Sequence, residues 1–227
     1  MSRARESEMT EADWFRIQGP LSLLEYVADK VSQRKLRLFA AACCRRIEYL
    51  FPNQDRRNCL DVVDGWAEGA ATFHELEAAI LAAVVGWEPK GEKKGAIRDN
   101  VAAAIGLIVQ HHDDPFESAR GACIYTESAA FIAGKSHADE GKAQAGILRD
   151  ILGNPFRAHA LDQACLTPKV KTLAQAIYDE RAFERMPELA DALAEAGSSN
   201  QDILNHCRGP GPHVCGCWVV DLVLGKE

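Results

Sequence analysis

Apolar residues recur at spacings of three and four through long alanine-rich stretches, and the strict apolar–polar alternation of half-buried strands is almost absent. The pattern predicts an all-α chain. Start signals agree with it. Ser22 with Glu25 and Thr72 with Glu75 read as capping boxes, while Asp114-Pro115 and Thr167-Pro168 each set a capping side chain before a proline suited to the first helical position. Together these signals predict about a dozen helices, over 10–17, 21–31, 33–51, 54–69, 73–86, 96–111, 115–134, 138–152, 169–183, 187–196, 199–207 and 214–224.

Two stretches interrupt the periodicity. Residues 88–95 are charged and rich in breakers, and residues 153–168 carry two prolines with little periodicity, so both read as loops. Because the alanine-rich segments on either side of 88–95 need partners for their apolar faces, the expectation is a flexible N-terminus over 1–9 and one irregular multi-helix bundle over 10–227. A subdivision near 88–95 is the alternative domain reading, and a loose array of helical hairpins is the alternative architecture.

Composition narrows the possible partners. A net charge of −7 over 227 residues argues against a whole-surface attraction to nucleic acid. No segment approaches the roughly 20 uninterrupted apolar residues of a membrane span, and no apolar run follows the charged start, so the expectation is a cytoplasmic chain without a membrane. Eight cysteines, two of them adjacent, lack the regular spacing of a secreted disulfide framework and read as reduced thiols.

The most unusual chemistry lies near the C-terminus. Cys207, His213, Cys215 and Cys217 flank a Gly209-Pro210-Gly211-Pro212 turn that could fold Cys207 back toward the other three. Thiolate and imidazole are the donors zinc prefers, which makes zinc the candidate cofactor. The spacing C-x5-H-x-C-x-C lacks the usual close cysteine pair, and on a helix Cys215 and Cys217 would point nearly opposite ways. A buried, reduced tail without metal is the competing reading. The following run, 217–224, is apolar nearly all round, so Asp221 within it needs a cation, from Arg208 or from a basic residue of the third helix.

On that third helix Leu36, Phe39, Ala40, Cys43, Ile47 and Leu50 trace an apolar stripe. The Cys43-Cys44 pair reads as core packing, with a redox pair or metal ligands as the alternative. Arg34, Lys35, Arg37, Arg45 and Arg46 lie off the stripe; with Arg56 and Arg57 they form either a basic patch for an acidic protein partner or a solvated face. His111-His112 falls where one helix ends and another is capped, and His74, His137 and His159 stand without a neighbouring nucleophile. No catalytic triad emerges, and the minimal motifs for nucleotide, calcium, zinc-protease and di-iron sites are missing.

Five stretches, 34–46 (RKLRLFAAACCRR), 148–157 (LRDILGNPFR), 173–183 (LAQAIYDERAF), 206–213 (HCRGPGPH) and 216–221 (GCWVVD), are long and specific. Through them the chain resembles a family of helical proteins from planctomycete bacteria that has no established activity. The resemblance implies a bacterial origin and a shared helical fold. That family more usually carries arginine where Cys215 stands, so a shared site leans on Cys207, His213 and Cys217, completed by Cys43 or Cys44. Three functional readings follow: a non-catalytic interaction or scaffold domain, a zinc-binding protein whose site joins the tail to the third helix, and a thiol- or metal-dependent enzyme.

Overall fold

A computed structural model describes residues 9–158 and 160–226. The flexible N-terminus expected over 1–9 lies outside the described residues except for Met9, which packs against the core, and His159 lies outside them as well. Among the described residues every regular element is helical. The first part of the chain runs through α1 (Glu11–Arg16), α2 (Pro20–Val27), α3 (Gln33–Arg46), α4 (Gln54–Arg57) and α5 (Cys59–Ala67). It continues through α6 (Phe73–Val84), α7 (Glu92–Gln110), α8 (Pro115–Ala133) and α9 (His137–Leu152). After a long connection come α10 (Pro168–Glu180), α11 (Met186–Glu195), α12 (Gln201–Arg208) and α13 (Trp218–Leu224).

Local chemistry explains most boundaries. Thr72 and Glu75 form the reciprocal capping box in front of α6, while Asp114 and Thr167 cap α8 and α10 ahead of their N1 prolines. Ser22 does not cap: α2 begins two residues earlier, at Pro20, whose fixed φ suits the first turn and leaves Ser22 inside the helix. The helix expected over 33–51 ends at Arg46, with a 3-10 turn at Glu48–Leu50 and then an extended Phe51, the conformation Pro52 imposes on its predecessor. The 54–69 helix divides at Asn58. The loop expected over 88–95 is shorter than its composition suggests: Gly91, at φ +92°, supplies the break, and the good helix formers Glu92, Lys93 and Lys94 already belong to α7.

Helix α3 is the centre of the first half, with Leu36 and every residue from Leu38 to Cys44 buried. It touches α5, α7, α8 and α9. That is a bundle around one helix rather than an array whose units meet only their sequence neighbours. Buried apolar side chains fall into two clusters, one from Trp14 to Ile151 and one from Val170 to Val223. The division therefore follows the 153–168 connection and not the 88–95 stretch.

The two clusters meet along a polar seam. Asp221 of α13, 2 % exposed, receives Arg34 at 2.7 Å and Lys35 at 2.5 Å, both from the first turn of α3. Lys35 also donates to the carbonyls of Ile151 (3.1 Å) and Gly216 (2.7 Å), tying the tail to α9 and α3 together. The cation that Asp221 requires thus comes from the third helix, and Arg208 pairs with Asp191 instead. Among the described residues no helix is long and apolar enough to cross a membrane.

Candidate metal centre

On the same seam a carboxylate, two imidazoles and a thiol converge. Asp150 comes from the last turn of α9, His206 from α12, His213 from the turn after it, and Cys217 is the N-cap residue of α13. One ligand atom from each lies within 4.8 Å of all the others. His206 Nε2 stands 3.0 Å from Asp150 Oδ1 and 3.2 Å from Cys217 Sγ, and His213 Nδ1 stands 2.8 Å from the same Asp150 oxygen. The second carboxylate oxygen accepts the Val214 backbone N–H at 2.9 Å, which leaves Oδ1 as the single oxygen aimed inward.

Local folding sets these positions. The tail enters through the Gly209-Pro210-Gly211-Pro212 turn, whose Gly211-Pro212 bond is cis. Gly146 of α9 lets it come close, since a Cβ there would stand 3.2 Å from the Pro212 ring. The helix expected over 214–224 starts only at Trp218, because Gly216 sits at φ +87° with its Cα against Leu38; an added Cβ would meet Leu38 Cδ1 at 2.7 Å. Cys215 and Cys217 therefore do not share a helix.

The environment favours a bound cation. Asp150 and Cys217 are shielded from water, and the His213 and His206 side chains are 8 % and 20 % exposed. Burial alone would raise the Asp150 carboxyl, but the bonds and charges of His206 and His213 outweigh it and hold its pKa below the ordinary range. Burial pushes the Cys217 thiol well above its usual value, so a metal there must displace its proton. The other ring nitrogen of His213, Nε2, is buried with no hydrogen-bond partner among the described residues.

The donor set fits zinc. Tetrahedral zinc with bonds of about 2.0–2.1 Å to nitrogen or oxygen and about 2.3 Å to sulfur needs ligand atoms about 3.3–3.6 Å apart. The three contacts of 2.8–3.2 Å would open by a few tenths of an ångström and the remaining pairs, all within 4.8 Å, would close by up to about 1 Å. One oxygen, two imidazole nitrogens and one thiolate are also acceptable to other divalent transition metals.

The structure brings together two of the five residues expected to bind zinc, His213 and Cys217. Cys207 is wholly buried among the apolar side chains of the second cluster, and burial pushes its thiol up to about 12. It follows His206 directly in α12, and neighbouring helical positions point about 100° apart, so His206 joins the group of four while Cys207, though near enough to feel the charge of Asp150, lies outside it. Cys43 and Cys44 are buried inside the first cluster, where Cys43 meets Cys123 of α8 and Cys44 lies near Cys43 and Cys59. The tail reaches α3 at Lys35 and Leu38, one to two turns earlier, so the expected joint between tail and third helix is made by an ion pair and not by a metal. Cys215 stands apart, half-buried near Arg181 and Asp64, with burial pushing its thiol up to about 11. Asp150 and His206 are the donors the sequence did not single out.

The arginines proposed for a protein partner are engaged inside the molecule. Arg34 holds Asp221 and Glu68, Arg45 holds Asp61 and Asp64, and Arg46 grips Glu140 through two bonds of 2.6 and 2.8 Å. Arg37 lies over the Trp66 ring, 4.6 Å from its centre. Such pairing follows from the burial of α3 on most of its circumference, where unpaired cations would be costly.

No protein-family model, curated protein or solved structure matches this chain. Functional argument therefore rests on the site itself.

Proposed function

We propose that this chain is a metal-binding protein holding one divalent transition-metal ion, zinc by preference, through Asp150, His206, His213 and Cys217. The observation that carries the reading is the convergence of four chemically matched donors, from α9, α12, the tail turn and the start of α13, within 4.8 Å of one another. An inward carboxylate oxygen, two imidazoles and a buried thiol meet at one point, and among the described residues no lysine or arginine is bonded to the carboxylate. The scaffold reading draws no support from Arg34, Arg45 and Arg46, whose guanidinium groups are paired internally, or from Arg37, which lies over the Trp66 ring.

Elemental analysis of protein purified without a metal-affinity tag tests the proposal. The expected result is about one equivalent of zinc per chain, strongly reduced in Cys217→Ser and in His206→Ala. Protein that folds, carries no stoichiometric metal and gains none on dialysis against zinc contradicts it.

A further inference from the structure

The four donors do not surround their centre evenly. Asp150, His206 and His213 all line a cleft of about 550 Å³, whereas Cys217 is fully buried behind them and is not part of its wall. A metal held by these four groups has its thiolate toward the core and its opposite face toward open space. Structural zinc sites are closed on all sides, and sites that exchange a ligand keep one side accessible.

The cleft has a chemical character of its own. Arg149, half-buried and next in sequence to Asp150, lines it, and among the described residues its guanidinium donates to neutral carbonyls, Trp14 O at 2.6 and 2.9 Å and Ile17 O. Burial depresses its pKa, and no carboxylate forms an ion pair with it among the described residues. The cleft's acids Glu11 and Asp202 share one cation, Arg157, at 2.6 and 3.2 Å, and pair with it rather than with Arg149. A guanidinium without a carboxylate partner beside a metal is a place for an oxyanion. Among these polar groups the lining also carries apolar side chains, Phe15, 55 % exposed, and Trp218, Pro210 and Pro212.

Resting on the metal-binding reading, we infer that the ion presents an exchangeable coordination position to this cleft, where it binds a small carboxylate with an apolar body. The carboxylate enters as a fifth ligand on the face away from Cys217, taking the ion from four- to five-coordinate; its charge is answered by Arg149, and its hydrocarbon part lies against Phe15 and Trp218.

Cobalt substitution separates this inference from the reading beneath it. Untagged protein loaded with Co²⁺ shows a thiolate-to-cobalt charge-transfer band that reports Cys217, and visible ligand-field bands that report coordination number. Benzoate is expected to shift and weaken the visible bands saturably, acetate to do so less tightly, and inorganic phosphate no better than acetate. Arg149→Gln is expected to weaken benzoate about tenfold while the charge-transfer band persists. Phe15→Ala, on an exposed side chain whose loss spares the core, is expected to weaken benzoate and leave acetate unchanged. Cobalt bound with a spectrum inert to all three anions overturns the exchangeable position and leaves the metal site standing. Phosphate binding more tightly than benzoate overturns the ligand class. Failure to bind cobalt or zinc at all removes both claims.

Discussion

Asp221 and Asp150 are both buried aspartates on the seam, and their partners differ in kind. Asp221 meets two cations, Arg34 and Lys35, whereas Asp150 meets two imidazoles and a backbone amide. Replacing Asp221 with alanine leaves Lys35 without a carboxylate, while Arg34 keeps Glu68, and is expected to cost about 3–5 kcal/mol in urea unfolding. Substitutions among the cysteines should divide sharply. Cys217→Ser is expected to lower zinc affinity by more than the roughly 10–100-fold of an outer-shell change, and Cys207→Ala to leave zinc stoichiometry intact. Competition against a chromophoric chelator measures both. At this scale the need of Asp221 for a cation was legible, because a carboxylate in an apolar run is anomalous wherever it falls. Asp150 was not, since an aspartate within Leu-Arg-Asp-Ile-Leu looks like any helical surface acid until the tail folds over it. His206 left a usable signal: Ile203, Leu204 and Cys207 share the buried stripe of α12, which puts Cys207 in the core phase and His206 at its edge.

Among elements, the helices themselves were the most legible feature, because amphipathic periodicity and caps are written locally. Thr72→Ala, which removes the side chain accepting from the Glu75 amide, is expected to cost about 1 kcal/mol by the same unfolding assay. What local pattern did not reveal was where a helix gives way to a glycine. Val214 to Cys217 carry apolar residues that read as helix, yet the positive φ of Gly216 and its contact with Leu38 keep this segment as a turn and aim Cys217 inward. Gly216→Ala combines that contact with a left-handed backbone that alanine resists, about 1–3 kcal/mol from the backbone alone. It is expected to destabilise the chain and to lose zinc together, read as a fall in melting temperature and in bound metal.

For the whole molecule, the seam between the two apolar clusters is the feature that links fold to function. Asp150 belongs to the first cluster's last helix, His206 and Cys217 to α12 and the start of α13 in the second, and His213 to the turn between them. A metal at their meeting point staples the halves together beside the Arg34 and Lys35 pairs. At free zinc a hundred times its dissociation constant the folded state gains about 2.7 kcal/mol. Each kcal/mol raises the midpoint of a chain of this size by about 2–4 °C, so zinc is expected to shift thermal unfolding upward and EDTA to reverse the shift. The sequence pattern points to one bundle, with a subdivision near 88–95 as the alternative; the buried apolar side chains group on either side of 153–168, and α7, which extends back to Glu92, packs with α6 and α8 in the first group. The most direct test of the central claim is X-ray absorption at the zinc edge of the zinc-loaded protein. The account predicts one sulfur at about 2.3 Å with nitrogen and oxygen neighbours at about 2.0–2.2 Å. Two or more sulfurs, which would bring Cys207, Cys43 or Cys44 into the shell, or a shell with no sulfur at all, would contradict it.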